Sequence, residues 1–213
     1  FEKIISSVKS ENVNWINIDG LHNVELIEKT GNYFNLHLLN IEDILNTQHR
    51  PKMEDHDDHV FFTLKMLSGI EKDILIYEQI SMVLGKNFVL TFQEKENEIF
   101  KRIKEQLRGN GTARKRMADY LFYRLIDNVI DSYYIILDNL NDRLEALEDE
   151  VNLSPNDRTL QEIQFLKKDL IAFRKIIYPV REAVGNVMQE GSEIIGEQTL
   201  RYFSDVYDNT LHI

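Results

Sequence analysis

From Leu137 to Val180 the apolar residues recur at a helical period that breaks in one place. Leu137, Leu140, Leu144, Leu147 and Val151 alternate steps of three and four, the spacing of a coiled-coil-like seam. "SPND" (Ser154–Asp157) interrupts this stripe, and Leu160, Ile163, Leu170, Phe173, Ile177 and Val180 resume it. Two long antiparallel helices joined by a short turn are the natural outcome. Ser154 is placed as the N-cap of the second helix and Pro155 at its first position. Pro179 is expected to kink or interrupt that helix.

Before about Ala113 the period is different, so one repeating architecture cannot describe the whole chain. "VNWINI" (Val13–Ile18) reads as a strand and "LHNVELIEKTG" as a short helix ending on Gly31. "NIEDILN" is another short helical turn, closed off before Pro51. "HVFFTLKML", "EQISMVLG" and "NFVLTFQE" are strands rich in Val, Ile, Phe and Thr, and "ENEIFKRIKEQL" returns to helical spacing. These residues predict an α/β domain. At the other end Leu200, Phe203, Tyr207 and Leu211 form a third stripe with no stop signal after it. That helix reads as unfinished at Ile213, and a start on Phe1 rather than Met reads as a fragment at that end too. The organisation expected is an α/β part over 1–112, a helical hairpin over 113–196, and the start of a further helix over 197–213.

Charge narrows the partners. The net charge is −11, and residues 117–213 hold 18 acids against 9 bases. Such a surface repels phosphate backbones and suits cations, so nucleic acid is not expected as a partner. With no cysteine, disulfides and thiolate chemistry are excluded. No apolar run reaches the ~18 residues of a membrane span, and no signal peptide is seen at Phe1–Ser10.

Evidence for catalysis is thin. "MEDHDDHV" (Met53–Val60) resembles a metal cluster, but on a strand His56 and Asp58 would point one way and Asp57 and His59 the other. A solvated strand end is the reading preferred. "RGNGTARKR" (Arg108–Arg116) lacks the Lys-Ser/Thr of a phosphate loop and reads as a connector, with Thr112 capping the next helix. The carboxylates are better suited to a hard cation. Asp127 and Asp131 lie four apart, Asp205 and Asp208 three apart, and Glu42 and Asp43 side by side on a short turn. By spacing alone, such pairs are ordinary solvated surface.

"NWINIDGLH", "NIEDILNTQHRPKMED", "EQISMVLGKNFVLTFQE", "RMADYLFYRLIDNVIDSYY" and "YFSDVYDNT" occur here in an order that resembles the CorA-type magnesium transporters over nearly the whole chain. The resemblance implies a mixed β-sheet flanked by helices, with a long acidic helical hairpin and the start of a stalk helix that would continue into the membrane. It implies a homopentamer at the cytoplasmic side of the membrane, with a Gly-Met-Asn entrance in segments this chain lacks. It also implies magnesium sensing between subunits, with Co²⁺, Ni²⁺ or Zn²⁺ as other candidate ions. Carried over by motif, Asp43 in "IEDIL" would face Asp205 in "SDVYD" of the adjacent subunit. Glu42 and Asp127 in "LIDN" would form a second nearby site, with Asp131 and Asp208 beside those motifs. The polar "EDHDDHV" departs from the family pattern. The alternatives are the zinc-transporting branch of the superfamily, a helical scaffold that binds a partner protein, and a metal-dependent hydrolase using His56 and Asp57.

Overall fold

The computed structural model describes residues 1–8, 11–71, 74–109, 116–153 and 156–213. A short helix α1 (Glu2–Ser7) precedes β1 (Asn14–Asp19), α2 (Val24–Tyr33) and α3 (Leu38–Leu45). Four strands follow: β2 (Lys52–Asp55), β3 (His59–Glu71), β4 (Ile74–Gly85) and β5 (Phe88–Gln93). Then come α4 (Lys101–Arg108), α5 (Ala118–Leu153), α6 (Asp157–Glu190) and α7 (Glu197–His212). The strands form one sheet in the order β1-β5-β4-β3-β2. β1 runs parallel to β5 and the other pairs are antiparallel, so the sheet is mixed.

Strand alternation divides the core into two layers. Val60, Phe62, Leu64 and Met66 of β3, with Ile80, Met82 and Leu84 of β4, join a large cluster completed by α5, α6 and α7. Phe61, Val83, Leu90 and Phe92 point to the other face, where they pack with Ile27 of α2 and Ile41 and Ile44 of α3. Because successive side chains leave a strand on opposite faces, this alternation places α3 and the pair α5–α7 on opposite sides of the sheet.

Several local expectations change. Gly31 does not end α2; it lies inside it, and a Cβ there would sit 2.5 Å from Ile41 Cδ1. The glycine lets α2 approach α3 closely, and the left-handed residue after the helix is Asn35, at φ 57°. The N-cap of α6 is Asn156, not Ser154. Its side chain accepts from the Arg158 and Thr159 amides while the Thr159 hydroxyl accepts from the Asn156 N–H. Ser154 and Pro155 lie outside the described residues, as do Thr112 and Ala113. Pro179 does not interrupt α6, which runs from Asp157 to Glu190 with Phe173, Ile177, Val180 and Val184 seated in the core on both sides of it. The seam of α5 is only half covered: Leu140 and Leu147 are buried, whereas Leu144 and Val151 are exposed. Among the described residues, no helix is long and apolar enough to cross a membrane.

Candidate functional site

Asp43 is set by α3, whose first turn is capped by His37 and whose inner face is fixed by Ile41 and Ile44. It is only 5% exposed. Its carboxylate meets Lys52 Nζ at 2.6 Å and His49 Nε2 at 3.0 Å. Lys52 also holds Glu54 at 2.8 Å, and Asn40 donates to Glu54 at 2.7 Å. Against the cost of burial, Asp43 and Glu54 hold the Lys52 ammonium above its ordinary value, and Lys52 and Asn40 hold Glu54 below the usual carboxylate range. Asp43 is therefore a paired carboxylate within its own chain.

The network continues into the histidine-rich stretch. His59 is 2% exposed, pairs with Asp58 at 2.6 Å through Nδ1 and meets the Asn40 side-chain amide at 3.0 Å through Nε2. Asn35 donates to the other Asp58 oxygen at 2.9 Å. The rings of His37, His56 and His59 stack, with centroids 5.8 and 4.6 Å apart. The expected parity of this stretch fails because β2 ends at Asp55 and β3 begins at His59. His56–Asp58 form the reversal between them, so His56 and His59 lie on one side while Asp55, Asp57 and Asp58 are exposed. The solvated strand end is thus a part-buried column of imidazoles. Burial pushes the His59 imidazole down, opposed by Asp58 and reinforced by His56 and His37.

The second set of carboxylates is built differently. Asp127 and Asp131 project from α5, and Asp205 and Asp208 from α7, the helix that packs on α5 through Phe203 and Val206. Asp131, Asp205 and Asp208 are exposed, and Asp127 is half-buried with the Tyr123 hydroxyl 3.4 Å away. Burial pushes the Asp127 carboxyl up. The negative charges of Asp131 and Asp205 add to this, while Arg124 and the Tyr123 hydrogen bond oppose it. Asp127, Asp131 and Asp205 thus share one acidic surface. Asp205 also lines a shallow pocket with Arg116, Arg201 and Tyr202. Glu42 is exposed on α3, in a different shallow pocket with Glu28 and Asn46.

The sheet separates Glu42 and Asp43 from Asp127, Asp131, Asp205 and Asp208, so neither expected pair is assembled inside one chain. Among the described residues, no group of three His, Asp or Glu side chains is arranged to hold a metal ion. Sequence reasoning missed Lys52, Glu54, Asn40 and His59 as partners of this region. A lone lysine in "RPKMED", between "IEDIL" and more acids, was the available signal.

Residues 10–213 match the family model described as "CorA-like Mg2+ transporter protein". The chain is 40% identical to the cobalt/magnesium transport protein CorA of Thermotoga maritima, over 100% of this chain and 61% of that protein. It is 26% identical to the putative metal ion transporter YfjQ of Bacillus subtilis, over 85% of this chain and 56% of that one. The chain therefore spans about three fifths of the length of these curated relatives. The complete structure of the CorA magnesium transporter from Methanocaldococcus jannaschii superposes at a TM-score of 0.78 and 23% identity, covering 93% of this chain and 62% of that one. The cytoplasmic domain of ZntB from Vibrio parahaemolyticus superposes at 0.72 and 16% identity, covering 94% and 82%, a likeness of fold. With a family model matched almost end to end and a relative at this level of identity, the chain belongs to the CorA-like Mg²⁺ transporter family.

Proposed function

We propose that this chain is the regulatory domain, on the cytoplasmic side of the membrane, of a homopentameric divalent-cation transporter. In this reading, magnesium held between neighbouring copies governs ion uptake. One observation supports it above the others: Asp43 with Glu42, and Asp205 with Asp127 and Asp131, stand on opposite layers of the sheet. Each copy thus carries two half-sites that meet when the α3 face of one lies against the α5–α7 face of the next. Carboxylates brought together repel, and a hydrated Mg²⁺ between them reverses the sign of that interaction.

The ligand chemistry favours magnesium over Zn²⁺. All the candidate donors are carboxylate oxygens, the set preferred by a hard ion that keeps several waters. Zinc would draw on imidazole, yet the three stacked rings lie face to face rather than aiming nitrogens at one point. Lys52 touches both Asp43 and Glu54, so an arriving cation can take Asp43 while Lys52 stays on Glu54. Weak affinity follows from few direct ligands and a retained water shell, and it suits an abundant cellular ion.

Limited proteolysis of the full-length protein across a magnesium series tests the reading. Asp205→Ala should lose much of the magnesium protection. Asp205→Lys places a permanent cation at the interface and should be protected without magnesium. Wild-type magnesium dependence in both variants would sink the proposal.

A further inference from the structure

Among the described residues of this acidic chain, one cavity is lined by four cations. Of the nine Lys and Arg residues between 117 and 213, five (Lys167, Lys168, Arg174, Lys175 and Arg181) fall within fifteen positions of α6, with Asp169 the one acid among them. Asp169 is buried against Arg143 at 2.8 Å, so it does not neutralise that surface. This stretch faces the open edge of β3. β2 pairs only with Val60–Thr63, so β3 continues past Thr63 without a strand neighbour on that side. The α3–β2 loop and α6 close around the gap and leave a cavity of about 640 Å³.

Arg50, Lys65, Lys168 and Lys175 all contribute to its wall, together with the half-exposed rings of Tyr77 and Tyr178. Glu182 is the one carboxylate of the lining, and the lining His49 is already engaged by Asp43. Arg174 and Arg181 lie over the Tyr178 ring at 4.7 and 4.6 Å, adding positive charge behind it.

Lys65 is the unusual member. It is 5% exposed, and its ammonium donates to the Thr47 carbonyl at 2.6 Å and to Gln79 Oε1 at 3.1 Å. Among the described residues, no carboxylate lies within ion-pair distance of Lys65, Arg50, Lys168 or Lys175. Burial pushes the Lys65 ammonium down from its ordinary value, opposed by the charge of Glu94. A cation kept nine-tenths buried with no carboxylate at ion-pair distance, in a cavity rimmed by three more, is an arrangement that an anion would complete.

We propose that this cavity binds a phosphate-bearing metabolite of nucleotide size, its phosphates held by Lys65, Arg50, Lys168 and Lys175 and its ring laid against Tyr77. Size separates this ligand from a simple anion: the volume falls in the ordinary range for organic ligands, roughly 300–1,000 Å³, far beyond inorganic phosphate. The wall also offers Ile171, Ile176 and Pro179, apolar surface that a bare oxyanion would leave unused. The placement of the site is informative. The loop that supplies Thr47, His49 and Arg50 to the cavity joins Asp43 on α3 to Lys52 on β2, so an occupant would touch the segment that carries the proposed sensor.

Calorimetric titration of sodium ATP, sodium tripolyphosphate and phosphatidylglycerol vesicles into the 213-residue chain tests this, with EDTA present so that no cation bridge forms. The expected result is one ATP per chain, with affinity that weakens as sodium chloride is added. Lys168→Glu/Lys175→Glu should lose affinity about tenfold or more for each charged contact removed. Tyr77→Ala should weaken ATP and leave tripolyphosphate unchanged. All three substituted side chains are exposed, and unchanged circular dichroism confirms that the variants fold. Absence of saturable ATP binding overturns the proposal, as does binding that neither salt nor the double reversal weakens. Tripolyphosphate bound as tightly as ATP refutes the nucleotide assignment, and binding to vesicles alone makes the cavity a lipid-headgroup surface instead. Each outcome is independent of the magnesium series, because the titrations contain no divalent cation.

Discussion

The α3 face and the α5–α7 face carry the same residue type in opposite states. On α3, Asp43 is buried and held by Lys52 and His49, and the chain of contacts runs on through Glu54, Asn40, His59 and Asp58. Across the sheet, burial raises the Asp127 pKa and the negative charges of Asp131 and Asp205 add to it, with Arg124 the cation that opposes. On one face the buried carboxylate is paired within the chain and Glu42 is left exposed, while the other carries surplus negative charge at its surface. A cation arriving between two copies would therefore find its main electrostatic gain on the α5–α7 side. On the α3 side it would have to compete with Lys52.

The largest expected break in this contrast is Lys52→Met. It removes the ammonium from a carboxylate that is 5% exposed and cannot regain water without local opening. Losing one partner of a fully buried pair costs about 3–5 kcal/mol. Lys52 is about one third exposed and His49 remains on Asp43, so the expected loss is smaller, about 1–3 kcal/mol. Urea unfolding measures it. Arg124→Met on the opposite face should change stability by less than about 0.5 kcal/mol. Equal losses in the two variants would show that the faces are not different in kind.

Two glycines sharpen the contrast at a smaller scale. A Cβ at Gly31 would meet Ile41 Cδ1 and Cγ1 at 2.5 and 2.7 Å, beneath α3. A Cβ at Gly185 would meet only the edge of the Tyr207 ring, at 3.1 Å, between α6 and α7. Gly31→Ala is expected to cost about 1–2 kcal/mol through overpacking. Gly185→Ala should be near neutral, because a helix gain of about 0.5–1 kcal/mol offsets a small shift of the ring. Thermal melts of the two variants give the order, and a reversed order would place the rigid contact under α7.

The α/β part and the helical hairpin were legible in the sequence because they rest on period. Alternation in "HVFFTLKML" and "EQISMVLG" marks strands, and the three-four spacing from Leu137 marks helices. The sheet order was not legible, since pairing β1 parallel to β5 depends on contacts between residues some seventy positions apart. β2 escaped notice because four residues, Lys52–Asp55, are too few to show a period. Gly31 read as a stop because a glycine at a helix end and a glycine at a close crossing look alike in one dimension. The carboxylates of both motifs could be singled out as residues from the sequence, but their states could not. Whether Asp43 is naked or paired depends on Lys52 in another element, and no spacing rule joins the two. The basic cavity was invisible for the same reason: the overall charge of −11 hides a stretch of α6 whose charge acquires meaning only beside Lys65.

The smallest expected effect is the most discriminating, because the two faces should respond to pH with opposite sign. His59 has its folded pKa below the ordinary 6.5, so the unfolded chain binds the proton more readily. Stability from this group is present above 6.5 and is lost as pH falls from there through the lowered folded value. Asp127 has its folded pKa above the ordinary 3.8, so the folded chain binds the proton more readily. Its contribution is present below 3.8 and is lost as pH rises through the raised folded value. Acidification from neutral pH should thus loosen the α3 face and relieve the α5–α7 face. Asp127→Asn at pH 7 should stabilise by about 0.5 kcal/mol, the scale of a partly exposed like-charge contact, and the advantage should vanish as pH approaches 3.8. His59→Gln should flatten the acid limb that Asp127→Asn leaves intact. Magnesium supplies the control. If Asp127 lends its charge to a cation site, millimolar Mg²⁺ should raise the melting temperature of the unmodified chain more than that of Asp127→Asn, since the ion removes the repulsion that the substitution has already removed. An equal magnesium response in both chains would show that this acidic surface is a solvated face and nothing more.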